Sequence, residues 1–115
     1  MLVVDDDRDL ADTTQTLLEM LGIHSECAYS VEGALSKLDR DPTINVILCD
    51  VIMPGLTGLD LAALVKARHP FVGIVLVSGY TSMDTTGARE YTDGFIAKPY
   101  NIHDVVDHLI AAMKP

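Results

Sequence analysis

The chain has 115 residues, of which 49% are hydrophobic, and it carries a formal net charge of −9 at pH 7. This length and composition suffice for a hydrophobic core without disulfides or metals, which excludes a disordered tail. Its acidity disfavours direct binding to nucleic acid or to an anionic membrane, because both repel negative charge. We therefore expect one domain over residues 1–115, with proteins as its partners.

Five short apolar segments read as strands and alternate with segments of helical periodicity. The predicted strands are Leu2–Val4, Glu26–Tyr29, Asn45–Cys49, Gly73–Val77 and Gly94–Ala97. Helices are expected between the first two strands, after the N-cap Ser30, after the capping pair Thr57 and Asp60, and after Asn101. The last helix is expected to bury Ile102, Val105, Val106, Leu109, Ile110 and Met113.

Residues 81–93, between the fourth and fifth strands, are rich in Thr, Gly and Asp. These residues are poor helix formers, so a fourth helix in this segment is expected to be short or irregular.

Strands alternate with helices, and the middle strands are apolar on both faces. This pattern is typical of an α/β fold in which helices cover both faces of a parallel sheet. No apolar run reaches the roughly 20 residues of a membrane span, and the N-terminus lacks the basic region of a signal peptide. We therefore expect a cytoplasmic chain in which Cys27 and Cys49 are buried, reduced thiols.

Polar residues follow the carboxyl ends of four predicted strands, the edge at which such sheets bind ligands. They are Asp5, Asp6 and Asp7, then Asp50, then Ser78, and finally Lys98 before Pro99. Crowded carboxylates repel each other, and a hard divalent cation relieves that repulsion. Mg²⁺ is the expected cation and Mn²⁺ a second candidate, with Lys98 and the Ser78 hydroxyl available to a phosphoryl group.

Each of these residues alone has an ordinary structural explanation, since an Asp after a strand commonly forms a turn or caps a helix. Asp7 fits that explanation best. Together they favour a phosphoryl-transfer site in which Asp50 is the nucleophile and forms an aspartyl phosphate.

The segments LVVDDD, CDVIMPGLTG, LVSG and FIAKP resemble the four signatures of the response-regulator receiver domain of two-component signalling. The resemblance covers essentially the whole chain. It implies a flavodoxin-like, three-layer α/β/α fold with strand order 2-1-3-4-5. By motif, it also implies that Asp50 is the phosphoacceptor, that Lys98 is the conserved amine, and that Lys98–Pro99 is a candidate cis peptide. The implied metal ligands are Asp5, Asp6, Asp50 and the backbone carbonyl of Ile52.

The resemblance further implies that Asp50 takes its phosphoryl group from a histidine kinase or a histidine phosphotransfer protein. Such a domain catalyses its own phosphorylation and dephosphorylation and is not a metabolic enzyme. Ser78 and Phe95 would be the switch residues that pass the change to a downstream protein or output domain, with a phosphorylation-linked dimer as one form of output. Ser78 stands where Thr is commoner, which predicts a less sharply two-state switch.

Ile52 and Tyr80 lie two residues beyond Asp50 and Ser78, at positions that border the phosphoryl group in this family. Bulky side chains there should hinder the water that hydrolyses the acyl phosphate. The sequence therefore predicts slow decay of the phosphorylated form.

Other protein classes are also conceivable for this sequence. A haloacid-dehalogenase-like phosphatase would need an acid at Ile52, and a flavodoxin-type flavin module would need a Ser/Thr-rich loop where the chain has DDDRD. A pseudo-receiver, which binds partners without phosphorylation, stays open because of residues 81–93. The first strand begins at Met1 or Leu2, where members of this family usually have a few more residues. The chain is therefore also compatible with a receiver domain cut from a longer protein, such as a hybrid histidine kinase.

Overall fold

Five parallel strands form one sheet in the computed structural model, which describes residues 1–53, 55–78, 92–97 and 100–113. The strands are β1 (Leu2–Val4), β2 (Glu26–Ala28), β3 (Val46–Asp50), β4 (Gly73–Ser78) and β5 (Gly94–Ala97). Their order in the sheet is β2-β1-β3-β4-β5, and every neighbouring pair is parallel. The expected fold class and strand order are therefore confirmed.

The described helices are α1 (Arg8–Met20), α2 (Val31–Arg40), α3 (Gly58–Arg68) and a C-terminal helix (Ile102–Ala112). Each follows a residue whose side chain accepts a hydrogen bond from a backbone N–H in the first turn; these N-caps are Asp7, Ser30, Thr57 and Asn101. Such caps satisfy N–H groups that have no partner within the helix. Asp60 completes a capping box with Thr57, as the sequence predicts.

The side chains of successive strand residues point alternately into two separate hydrophobic cores, one on each face of the sheet. In β1, for example, Leu2 and Val4 belong to the core under α2 and α3, whereas Val3 belongs to the core under α1 and the C-terminal helix. This alternation follows from the two-residue period of a strand and explains why the strands are apolar on both faces.

Strands β3 and β4 each extend one residue beyond the predicted end, so that Asp50 and Ser78 are themselves strand residues. The ladder then continues, since Val51 N–H donates to the Val77 carbonyl at 2.9 Å. At other strand ends the differences are also single residues: β2 stops at Ala28, and β3 starts at Val46. The main chains of Asp50 and Ser78, two candidate site residues, are thus held by pairing with the neighbouring strands β4 and β5.

The C-terminal helix does not bury all the residues predicted from its sequence. Ile110 is 58% exposed and Met113 37% exposed. The buried stripe is Val105, Leu109 and Ala112, which follows helical spacing. Ile110 comes one residue after Leu109, about 100° further around the helix, and therefore points away from the sheet.

Cys27 and Cys49 are buried free thiols, as expected, and β1 separates the strands that carry them. No helix in the described ranges is long and apolar enough to cross a membrane. The prediction of a short or irregular fourth helix falls mainly on residues 81–91, which lie outside the described residues.

Candidate functional site

Asp50 is the last residue of β3 and is half-buried at the carboxyl edge of the sheet. Its backbone is in register with Val77 of β4. Its Oδ1 accepts a hydrogen bond from the backbone N–H of Ile52 at 3.0 Å. Both the main chain and the carboxylate of Asp50 are therefore held in place by backbone groups.

Asp5 follows β1 at the same edge and is only 7% exposed. Its N–H donates to the Ala28 carbonyl at 3.1 Å, and its Oδ1 accepts from the N–H of Asp7 at 2.9 Å. Asp7 caps α1, as the sequence suggests, while Asp6 is exposed between the two. Of the three consecutive acids, Asp5 is thus the one that the fold buries.

Asp5 and Asp50 line the same small cavity, whose volume is about 10 Å³. Thr14 of α1 and Tyr100 line it as well, together with core residues of β1, β3 and β4. A cavity of that size is close to the minimum that holds one water molecule. The fold therefore places Asp5, which follows β1, and Asp50, which ends β3, around one small space.

The sequence motifs do not point to Thr14 and Tyr100 as neighbours of the acids. Thr14 is 4% exposed, and its Oγ1 donates to the Leu10 carbonyl at 2.9 Å. It lies on the buried stripe of α1 with Ala11 and Leu18. A polar residue at that spacing, on the helix that follows the acids, is the signal that could have found it.

Ser78 ends β4 next to Asp50 and is only 1% exposed. It is in register with Ala97, the last residue of β5, while Asp50 is in register with Val77. The hydroxyl-bearing residue is therefore one step further along the neighbouring strand. Lys98 and Pro99, which follow Ala97, and Tyr80, which follows β4, lie outside the described residues.

The remaining candidates, Ile52 and Phe95, differ in exposure. Ile52 is 54% exposed in the loop after β3. Phe95, in register with Leu76, is partly buried and packs against the core under α2 and α3. The Ile52 side chain is thus exposed at the surface close to Asp50 in sequence, whereas the Phe95 ring packs on the face of the sheet that α2 and α3 cover.

Cys49 immediately precedes Asp50 in β3, and its Sγ donates a hydrogen bond to the Asp50 carbonyl at 3.2 Å. Burial raises the pKa of this thiol well above its usual range, and the charges of Asp50 and Asp5 raise it further. Cys49 therefore stays a neutral thiol at physiological pH and has a structural role.

The donor set at this edge suits a hard divalent cation that keeps several waters. Asp5 and Asp50 offer two carboxylates, and the Ile52 carbonyl is two residues beyond Asp50. Within the described ranges, no three His, Cys, Asp or Glu side chains converge as a preformed metal cage. Mg²⁺ commonly binds through one or two carboxylates, with water filling its other positions, so the residues present fit it.

A sequence model of the response regulator receiver domain matches residues 1–110. The chain therefore belongs to the receiver domains of two-component response regulators, as its four motifs indicate.

Relatives and solved structures agree with this family. The transcriptional regulatory protein CpxR of Escherichia coli K12 is 32% identical over 115 residues, which are 99% of this chain and 49% of that protein. A CheY-like receiver domain protein from Methanospirillum hungatei JF-1 is 29% identical with a TM-score of 0.83, covering 92% of this chain and 86% of its own. The chain thus spans about half the length of CpxR.

One solved structure shows the chemistry of a relative. A Burkholderia pseudomallei response regulator, crystallised with a phosphorylated aspartic acid, a calcium ion and citrate, is 28% identical with a TM-score of 0.85. The match covers 94% of this chain and 64% of that protein. That relative was therefore crystallised with a divalent cation and a phosphorylated aspartic acid together.

Proposed function

We propose that the chain accepts a phosphoryl group on Asp50 in a Mg²⁺-dependent reaction, with Mn²⁺ as a substitute. The observation that carries this proposal is that Asp5 and Asp50 line one small cavity at the carboxyl edge, where β4 also ends in Ser78. Asp6 and the Ile52 carbonyl are the remaining metal ligands in this proposal, and Lys98 is its amine.

In the reaction, an Asp50 Oδ attacks the phosphorus of the donor, and the bond from phosphorus to the donor atom breaks. The donor is the phosphohistidine of a kinase or phosphotransfer protein, or a small acyl phosphate that leaves as its carboxylate. When bound, Mg²⁺ neutralises charge on the transferring oxygens. The Ile52 N–H orients the acceptor carboxylate from the start, since it already donates to Oδ1.

The same site would act as a switch. Ser78 is buried at the end of β4, so its hydroxyl would donate to a phosphoryl oxygen only in a state that brings the two groups together. The phosphoryl group would favour that state, and Phe95 on the neighbouring strand would move with it. A kinase partner, a downstream target or output domain, and a cytoplasmic location all belong to this proposal.

The test is the intact mass of the chain after incubation with acetyl phosphate, with and without Mg²⁺. We expect a gain of one phosphoryl group that needs Mg²⁺ and is absent from Asp50→Ala. Asp41→Ala, which removes a half-buried acid at the opposite edge, is the matched control and should be phosphorylated normally. A gain that survives in Asp50→Ala contradicts the assignment, and the absence of any gain, together with no beryllofluoride binding, indicates a pseudo-receiver.

A further inference from the structure

Exposed apolar side chains gather at one end of the α1 face of the protein. Both α1 and the C-terminal helix begin at the carboxyl edge of the sheet and run back past it, so they end at the opposite, amino edge. At or just beyond those ends lie Leu17, Met20 and Leu21 of the first helix region and Ile110 and Met113 of the last. We call these five residues the amino-edge patch.

The two helix ends form one surface because the helices are neighbours. They contact each other, and their inner residues, among them Leu18 and Leu109, belong to one core. Met20 is 77% exposed and Ile110 58% exposed, values far above those of their buried neighbours. Single exposed apolar residues are ordinary, but a group of them on adjacent elements marks an interaction surface.

Two acidic side chains lie nearest the patch: Glu19 in the last turn of α1 and Asp107 in the middle of the C-terminal helix. Asp9, Asp12 and Asp104 lie further toward the carboxyl edge. The only Lys or Arg of these two helices, Arg8, is also at that far end, where its guanidinium lies 4.1 Å from the centre of the Tyr29 ring. Lys114, which follows in the sequence, lies outside the described residues.

The helix ends add to this negative field. Neither α1 nor the C-terminal helix has a basic residue in its last turn. Helices α2 and α3 have two each, Lys37 and Arg40 in one and Lys66 and Arg68 in the other. The last carbonyl groups of a helix carry partial negative charge, which a cation stabilises. The last turns of α1 and the C-terminal helix therefore present this partial negative charge without a Lys or Arg of their own.

We propose that the amino-edge patch binds an amphipathic helix of another protein whose apolar stripe is flanked by Lys and Arg. The apolar side chains would cover Met20 and Ile110, while the flanking cations would face Glu19, Asp107 and the helix ends. A second copy of this chain is a poor occupant because a symmetric contact would bring these acids against their own equivalents.

The position of the patch adds a functional consequence. It lies at the edge of the sheet opposite Asp5 and Asp50, so an occupant there would leave the acidic site open. Binding at the patch is therefore independent of whether Asp50 is phosphorylated, and Asp50→Ala should bind the occupant as wild type does.

The test uses a synthetic amphipathic peptide of roughly 18 residues, made of Leu and Lys with Leu at helical spacing. Two comparison peptides keep the length: one has the same composition in scrambled order, and one replaces every Lys with Glu. Fluorescence anisotropy gives the affinities, and amide chemical shifts of the whole chain give the binding surface. We expect the ordered Leu/Lys peptide to bind best, with shifts centred on the five patch residues, and the Leu/Glu peptide not to bind.

The double variant Met20→Ser with Ile110→Ser should weaken binding by about tenfold or more, because it removes two exposed apolar contacts. Leu56→Ser, which removes another exposed apolar side chain at the other edge, should bind as wild type. Asp107→Lys, a second variant at an exposed position, should also weaken binding. Equal affinity for the scrambled peptide, an unaffected double variant, or wild-type self-association that the double variant abolishes would each overturn the proposal.

Discussion

The backbone of Gly58, at the start of α3, packs directly on the carbonyl of Asp50. A β-carbon at residue 58 would lie 2.4 Å from that carbonyl oxygen and 2.9 Å from the Cα of Val51. The Gly58 N–H also donates to the Val51 carbonyl at 2.9 Å. Glycine at this position therefore allows the helix to begin against the end of the strand that carries Asp50.

Gly58→Ala should destabilise the protein by about 1–3 kcal/mol, because the new methyl group overlaps backbone that cannot move independently. It should also slow phosphorylation of Asp50 by displacing the loop after β3. Urea unfolding and the mass assay measure the two effects. Gly94→Ala is the control, since its β-carbon would make only ordinary contacts, at 3.4 Å or more, with Val75 and His108. Similar losses in both variants would contradict this account.

Ile52→Asn should shorten the lifetime of phosphorylated Asp50. The exposed Ile52 side chain is two residues from the acceptor and would hinder an attacking water, whereas Asn would leave more room and could bind that water. Decay of the phosphorylated chain, followed by intact mass, gives the lifetime. Leu56→Asn, at an exposed position of the same loop, should leave it unchanged.

Tyr80→Glu should act in the same direction as Ile52→Asn if both side chains shield the phosphoryl group. Tyr80 itself is outside the described residues, so this expectation rests on the sequence. A lifetime that neither substitution alters would show that hydrolysis is controlled elsewhere.

Ser78→Ala should separate phosphoryl binding from the conformational switch. The variant keeps Asp50 but loses the buried hydroxyl at the end of β4. With Mg²⁺ and beryllofluoride, we expect wild type to show shifted ring signals of Phe95, and Ser78→Ala to bind the ligand with little shift. Ser36→Ala, at an exposed position on α2, is the control. Equal Phe95 shifts in Ser78→Ala and wild type would remove Ser78 from the switch.

Cys27 should react with iodoacetamide only at high pH. Burial, and then the Asp12 carboxylate, raise the pKa of this thiol from 9.0 to about 11. Its Sγ also lies 3.2 Å from Oε1 of Gln15, to which it donates. Alkylation of the folded chain should therefore rise through about pH 11, whereas the urea-unfolded chain should react near pH 9.

The same shift has a consequence for stability, with a defined sign. The folded thiol holds its proton more tightly than the unfolded one, so its contribution is complete below pH 9.0 and is lost as pH rises through about 11. Cys27→Ala should therefore show a shallower loss of stability over that range. An identical pH dependence for the variant and wild type would contradict the raised pKa.

The sequence predicts most of the fold because its signals are local. Capping residues predict where helices begin to within a few residues, as Ser30 does for α2 and the pair Thr57 and Asp60 for α3. Apolar runs predict the positions of the strands. The acids, Ser78 and Lys98 are visible because each follows a strand directly. Strand order, by contrast, depends on pairing between distant segments, and it was available only through the family resemblance.

What the sequence did not predict depends on how whole elements pack. Asp39 of α2 lies 3.0 Å from Nη2 of Arg68 and 2.8 Å from Nε2 of His69, residues at the end of α3. That network exists only because α2 and α3 are neighbours on one face of the sheet. The exposure of Ile110 has the same origin, since hydrophobicity alone does not tell which face of a helix meets the sheet.

The main-chain anchoring of Asp50 separates the integrity of the fold from the chemistry of the site. Its strand pairs with β4, and the ladder continues through Val51 to Val77, whichever side chain stands at position 50. A chain that lost the acid would therefore stay folded and keep its surfaces. If Asp50 is the phosphoacceptor, as we propose, such a chain would compete with the intact protein for the same partners without being phosphorylated, so the mutation would act as a dominant inhibitor and not as a simple loss of function.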